Sequence, residues 1–198
     1  MPSFTRRRLV AVALPAAICA SVATPTRTLV AQDGAAVFDA TAAAHLRDQF
    51  LADMDTVHAK IMALAVAIPE HKYSWRPGPG VRSVSEVLGH MAGEWYFWLP
   101  QSIGAKPHAD YAASPRESLP KLEKITGKQA MLEELNKSWA YGRAQLVAAD
   151  PATLTGSYKP WGVALDRAAF GMAGDQHEHL GQLIAYARAN GVKPPWSR

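Results

Sequence analysis

Four ionisable side chains crowd into five positions near the C-terminus: Asp175, His177, Glu178 and His179. An α-helix turns about 100° per residue, so Asp175 and His179 lie on one face of the helix predicted there. That face is otherwise apolar, whereas His177 points to nearly the opposite side. Burying a carboxylate with an imidazole is costly unless the two are paired or bind a cation. Two interpretations remain open: an intrahelical hydrogen bond, or an oxygen and a nitrogen ligand for one metal ion.

His90 is the candidate for a third ligand, which must come from another helix. On the second predicted helix, His90 shares one face with Glu86, Glu94 and Phe97. This face borders the apolar surface, where a cleft could reach His90; the alternative is a core histidine held by hydrogen bonds. Glu94 lies one turn beyond His90, so it is a candidate general base or a partner of a ligand. The alternative for Glu94 is a carboxylate exposed to solvent.

Four helical segments must position these residues. Apolar residues recur at helical spacing in each segment, and prolines or glycines separate the segments. The second segment begins with a capping box formed by Ser83 and Glu86, and the third with one formed by Thr126 and Gln129. The predicted helices span residues 37–68, 83–99, 126–149 and 163–190.

Long connections join these helices. Residues 101–125 form a polar connection with three prolines, and residues 157–161 are the one stretch that could be extended. Gly191 suits the C-terminal cap of the last helix. The pattern predicts an all-α fold, a four-helix bundle with long connections.

The N-terminus has the layout of a secretory signal peptide over residues 1–23, because basic residues precede an apolar run and then small residues. Cleavage after Ala23 fits the small-x-small rule, and cleavage after Ala31 is a second option. Residues 24–35 are then a flexible linker and residues 36–198 the bundle domain. We expect an exported protein, periplasmic or extracellular, with no stable membrane span after processing; a short membrane anchor is the alternative. The segment TRRRLV also resembles a twin-arginine signal, although a basic leader alone gives the same letters.

Charge and cysteine content exclude several classes of function. Cys19 is the single cysteine and lies inside the predicted signal peptide, so the processed chain has no disulfide, no thiolate nucleophile and no cysteine-ligated zinc. Arg6, Arg7 and Arg8 supply three of the four net positive charges, which leaves +1 after processing. We see no basic stripe and predict no nucleic-acid partner. The sequence has no nucleophilic serine motif, phosphate loop or dinucleotide fingerprint.

Two segments, WRPGPGVRSVSEVLGHMAGEWYFW and DQHEHLGQLIAYARANGVKPPWS, resemble the DinB-like superfamily. That group comprises bacterial four-helix bundles and has relatives among mycothiol- and bacillithiol-dependent transferases. The resemblance covers residues 46–197 and implies a divalent metal, zinc, nickel, manganese or iron, held by three histidines. His90 matches the first ligand, and His179, just before a Gly-Gln pair, matches the last. The middle position falls on Asp175, which either preserves the site with a harder ligand or leaves it degenerate.

The residues and the resemblance together predict an exported, DinB-like metal-binding protein. Three protein ligands leave coordination positions for water and substrate, so a metal-dependent hydrolase or group (thiol) transferase acting on an unknown small molecule is expected. The alternative is a non-catalytic metal- or ligand-binding protein, or a dimerisation module with a degenerate site. Phe170, His177 and Ile184 fall together on the helical wheel and suggest a homodimer contact.

Overall fold

The structure, a computed structural model, describes residues 39–111, 115–155, 157–158 and 163–197. The predicted signal peptide (1–23), the predicted linker (24–35) and residues 36–38 lie outside this part of the chain. The described residues form an all-α bundle, in agreement with the helical periodicity of the sequence.

Six α-helices build the described part of the molecule. They are α1 Ala40–Ala67, α2 Val84–Gly93, α3 Leu99–Ser102, α4 Pro115–Glu123, α5 Lys128–Ala148 and α6 Leu165–Ala189. A π-helical turn, Glu94–Trp98, joins α2 to α3 in one continuous rod. The 3₁₀ turns are Glu70–Lys72, Ala109–Tyr111 and Pro151–Thr155. Strands β1 (Ser157–Tyr158) and β2 (Val163–Ala164) pair antiparallel with Ser157 opposite Ala164, so the predicted extended segment is a strand over its first two residues.

Four long helical segments form a bundle: α1, the α2–α3 rod, α5 and α6. Helix α1 packs against α5 and α6, and α2 packs against the same two helices. Their facing sides supply one continuous core, whose fully buried side chains include Met54, Ile61, Leu88, Met131 and Leu146. Among the described residues, no helix combines the length and the apolar character that crossing a bilayer requires.

The second rod begins as predicted but ends later than predicted. Ser83 and Glu86 form the expected capping box, since the Glu86 N–H donates to Ser83 Oγ and the Ser83 N–H donates to Glu86 Oε2. The rod then continues through Pro100 to Ser102 instead of stopping at Leu99. A proline deprives the carbonyl four residues earlier of its helical donor. Here that carbonyl, of Tyr96, accepts instead from the His108 N–H at 2.8 Å, so the helix survives the proline.

Helix α4 lies inside the connection predicted over residues 101–125, where the sequence indicated no helix. Pro115 occupies the first position of α4, where a proline costs nothing, but Pro120 falls in its interior and conceals the helical pattern. Tertiary packing overrides this penalty. A Cβ atom on Gly89 of α2 would lie 2.6 Å from the Leu122 carbonyl oxygen, so only glycine allows α4 to approach α2 this closely.

The two remaining helix ends differ in how well the sequence predicted them. The capping box of Thr126 and Gln129 is wrong, because α5 begins at Lys128 without a side-chain cap. The Lys128 N–H donates instead to Glu70 Oε1, far away in sequence. The prediction for Gly191 is correct: its φ is 75°, and the N–H groups of Gly191 and Val192 donate to carbonyls of the last turn of α6.

Candidate metal centre

The residues that the sequence predicted for the site meet between α2 and α6. His90 comes from α2, Glu94 from the first position of the π-helical turn, and Asp175 and His179 from α6. One ligand atom from each of these four residues lies within 4.8 Å of all the others. We call these four residues the cluster. π-Helical turns occur frequently at functional sites, and here the turn begins at a cluster residue.

Three separations between an imidazole and a carboxyl group in the cluster are close to those of ligands on one metal ion. His179 Nε2 lies 3.5 Å and His90 Nε2 lies 3.8 Å from Asp175 Oδ2, while His90 Nε2 lies 3.5 Å from Glu94 Oε1. These distances exceed the usual N–H···O range of 2.7–3.2 Å. Two atoms bound to one tetrahedral ion at 2.0–2.2 Å are about 3.4 Å apart. The intrahelical hydrogen bond considered for Asp175 and His179 is therefore the poorer interpretation.

A chain of hydrogen bonds fixes which nitrogen of His179 faces the cluster. The Arg82 carbonyl can only accept, so the Tyr186 hydroxyl donates to it, at 3.2 Å. Tyr186 Oη then accepts from Gln182 Nε2 at 2.8 Å, which turns Gln182 Oε1 towards His179 Nδ1 at 2.9 Å. Nδ1 must therefore carry the proton, and the Nε2 lone pair points to the cluster. This is the arrangement typical of metal-binding histidines.

Gln176 orients Glu94 in a similar way. The Gln176 side chain is buried on α6, and its amide nitrogen donates to the Met91 carbonyl and to Glu94 Oε2 at 2.7 Å. Glu94 itself is only 7 % exposed, so the alternative of a solvated glutamate is wrong. The other carboxyl oxygen, Oε1, faces His90 within the cluster.

Two buried atoms at this site have no hydrogen-bond partner among the described residues: Glu94 Oε1 and His90 Nδ1. A buried polar atom without a partner costs about 1–3 kcal/mol, and such atoms in native proteins commonly mark a functional role or a bound ion. The Glu94 carboxyl also has a neighbour in Asp175, since a hydrogen bond between these two side chains contributes to the pKa shifts of both. The two imidazoles and the Asp175 carboxylate, with the Glu94 carboxyl beside them, fit a divalent transition metal.

Burial and mutual charge set the protonation of the cluster. Burial, together with the charges of Arg82 and His179, lowers the pKa of His90 to about 4, so His90 is neutral at pH 7, as a ligand must be. Burial and the neighbouring Asp175 carboxylate raise the pKa of Glu94 well above its ordinary value. Burial opposes the ionisation of Asp175, yet the Glu94 carboxyl and the two imidazoles hold its pKa below the ordinary value. The surroundings thus act on the two carboxyl groups in opposite directions, favouring the protonated form of Glu94 and the ionised form of Asp175.

A cavity of about 310 Å³ opens beside the cluster. His90, Glu94 and Asp175 line one part of it. The other described lining residues are apolar or lack a side chain: Phe97, Trp98, Leu119, Gly171 and Met172. The volume lies within the range of small-molecule sites. The cluster is therefore accessible to a ligand of moderate size.

Sequence reasoning missed several residues that support the site. Gln176 lies about 60° from His179 on the helical wheel, so an amide on this largely apolar face was a signal that could have been read. Gln182 belongs to the Gly-Gln pair after His179, but its link to Tyr186 depends on the fold. Leu119 could not be placed, because α4 was not predicted.

The surface predicted to meet a second copy does not form one buried face. His177 Nε2 lies 2.9 Å from Asp53 Oδ2 of α1, and Ile184 packs against the core. Phe170 is strongly exposed, at 71 %, and His177 is also exposed. The homodimer stays a prediction.

Comparison with known proteins gives a match that includes all residues of the cluster. The family model described as the DinB superfamily matches residues 53–183, about two thirds of the chain and all four cluster residues. No curated protein and no solved structure matches this chain. The matched segment begins within α1 and ends within α6, so it contains the bundle and the cluster together. This chain belongs to the DinB superfamily.

Proposed function

We propose that this protein binds one divalent metal ion at the cluster and is a metal-dependent hydrolase or group transferase for a small molecule. The observation that carries the proposal is the convergence of two imidazoles and two carboxyl groups, with one ligand atom of each residue within 4.8 Å of all the others.

His90, Asp175 and His179 would hold the ion through atoms that already face one another. When bound, such an ion polarises a carbonyl and lowers the pKa of bound water. Glu94 has the properties of the proton carrier, because Gln176 bonds its Oε2 and leaves Oε1 turned towards the cluster. Burial favours the protonated form of Glu94, so this residue can hold or deliver a proton at Oε1.

The mixed donor set bears on the choice of metal. Zinc, nickel, manganese and iron all accept imidazole together with carboxylate. Asp175 in place of a third histidine makes the set harder, which favours manganese and iron more than an all-histidine set would. Its position, with Oδ2 3.5 Å from His179 Nε2 and 3.8 Å from His90 Nε2, supports a working ligand over a degenerate site.

Export is also part of the proposal and rests on the N-terminal sequence. A leader with three arginines, an apolar run and small residues would send the chain out of the cytoplasm. Export would separate the protein from cytoplasmic thiols, which favours hydrolysis over thiol transfer. Fractionation of cells that express the full chain, or the chain without residues 1–23, tests this part. Retention of both forms in the cytoplasm would refute it.

Metal content tests the central proposal. The chain purified without chelator or histidine tag should contain about one ion, and His179→Ala should lose it. His177→Ala is the matched control, since His177 lies on the same helix but bonds Asp53. No ion in the wild type, even after incubation with zinc, nickel, manganese and iron salts, would overturn the proposal. An ion that binds without any hydrolysis or transfer in a substrate screen would identify a binding protein instead.

A further inference from the structure

The shape of the cavity beside the cluster bears on the class of substrate. We infer that the substrate carries a compact apolar group, an aromatic ring or a branched alkyl group, next to the atom that meets the cluster. We infer further that Gly171 sets the size of that group. This inference rests on the proposed function in one respect: it takes the cluster, at the polar end of the cavity, to bind a metal ion.

The described walls of the cavity divide into two kinds. Ionisable side chains line it at the cluster, through His90, Glu94 and Asp175. Away from the cluster, the described walls carry no charged side chain and are formed mainly by Phe97, Trp98, Leu119 and Met172. A charged or strongly hydrated group placed against these walls would lose water without gaining a charged partner there. An apolar group would instead gain from leaving water.

The volume sets the scale of that group. A cavity of about 150 Å³ suffices to hold benzene, and this cavity measures about 310 Å³. One aromatic ring, together with the few atoms that connect it to a metal-binding group, therefore fits. The walls come from the α2–α3 rod, α4 and α6, so three separate elements enclose the group.

Gly171 keeps the gap between α6 and Trp98 open. A Cβ atom on Gly171 would lie 3.4 Å from Trp98 Cη2 and 3.9 Å from Cζ2, which is ordinary van der Waals contact. An alanine therefore fits without displacing the indole. A longer side chain would extend into the space that the apolar group needs. Gly171 is thus a residue that determines specificity and makes no contact with the metal.

Two hydroxamates make this inference measurable. Acetohydroxamate and benzohydroxamate share a metal-chelating head and differ in a methyl against a phenyl group. Calorimetric titration of both into the metal-loaded wild type should show benzohydroxamate binding at least about tenfold more tightly, because the phenyl group buries more apolar surface. In Gly171→Leu the metal content and the acetohydroxamate affinity should persist, while the preference for phenyl disappears.

A matched control and a second variant protect the test. Gly181→Leu makes the same change on the same helix, where a Cβ atom meets nothing within 4 Å, and should retain the preference. Leu119→Trp narrows the cavity from the side of α4 and should reduce the preference for the phenyl compound.

The possible outcomes separate the two proposals. Equal affinities of a metal-loaded wild type for the two hydroxamates would overturn this inference alone, as would a phenyl preference that survives in Gly171→Leu. A wild type that takes up no metal and binds neither hydroxamate would overturn the proposed function and this inference with it.

Discussion

The imidazole rings of His90 and His179 meet edge to face, with centroids 4.8 Å apart and planes at 79°. The rings belong to α2 and α6, two helices separated in the chain by residues 94–164. An ion held between their Nε2 atoms would cross-link these helices through the core. Metal binding and the stability of the bundle should therefore be coupled.

Removal of the metal should destabilise the wild type. A ligand that binds only the folded state adds about 2.7 kcal/mol when its free concentration is 100 times the Kd. Thermal unfolding with and without chelator should show this increment in the wild type and not in His90→Ala. His71→Ala, in an exposed 3₁₀ turn, should retain it. An equal increment in all three proteins would contradict a site at the cluster.

Replacement of Asp175 by histidine should alter the choice of metal while keeping the site. A third imidazole is softer than a carboxylate, so Asp175→His should favour zinc or nickel over manganese by roughly tenfold relative to the wild type. Competition between manganese and zinc, followed by elemental analysis, measures the ratio. Asp175→Asn, which removes the charge, should weaken both metals. An unchanged ratio in Asp175→His would mean that Asp175 is not a ligand.

Loss of the Gln182 side-chain amide should weaken metal binding without removing a ligand. Gln182→Leu deprives His179 Nδ1 of its acceptor, and loss of such a partner typically costs 10- to 100-fold in affinity. Tyr186→Phe removes a hydroxyl group one hydrogen bond further from His179, so its loss of metal affinity should be smaller. Gln129→Leu is the control, since this exposed glutamine bonds only the Glu133 side chain in the described structure. Metal titration that shows wild-type affinity in Gln182→Leu would reject the role assigned to the amide.

A methyl group at position 89 should separate α4 from α2. The Cβ atom of Gly89→Ala would lie 2.6 Å from a backbone oxygen, so the two helices must move apart at a cost of about 1–3 kcal/mol. Gly174→Ala is the matched helical control, because nothing lies within 4 Å of its Cβ position, and it should stabilise by up to about 1 kcal/mol. Urea unfolding measures both changes. A neutral effect at position 89 would mean that α4 is not tightly packed.

Stability should fall in mild acid partly because of His58. This ring stacks on Trp139 and bonds Asn136, and burial lowers its pKa below the ordinary value of 6.5. The unfolded chain therefore takes up the proton at a higher pH than the folded protein, so lowering the pH through about 6.5 favours unfolding. His58→Gln should reduce the loss of stability between pH 7.5 and 5.5, measured by urea unfolding with chelator present. His71→Gln should reduce it less; equal effects of both variants would contradict this assignment.

The geometry of the candidate ligands was predictable where it depended on local periodicity. Asp175 and His179 share a face because they are four residues apart on one helix. The capping box of Ser83 and Glu86 is likewise complete within four residues. The helix face of His90 made it a candidate third ligand, and the resemblance matched it to a ligand position, but no local rule brings α2 next to α6. The family match covers all three residues.

The features that sequence reasoning missed all depend on distant partners. Pro100 ended the predicted helix, but the His108 N–H bonds the carbonyl that the proline leaves without a donor. Thr126 was expected to cap α5, but Glu70 accepts the Lys128 N–H instead. Helix α4 tolerates Pro120 because Gly89 admits it against α2. In each case a residue far away in sequence offset a local penalty.

The position of the cluster also determines when during folding it can exist. His90 and Asp175 are 85 positions apart in the chain, so closing this loop costs entropy before any contact between α2 and α6 offsets it. We therefore expect the donor atoms to converge only when α2 and α6 pack together, late in folding. An ion that binds such a late-forming site slows unfolding and leaves the rate of folding nearly unchanged. The metal would therefore stabilise the bundle only after it has folded, by slowing unfolding. Packing of the apolar core alone would have to drive the folding of the chain.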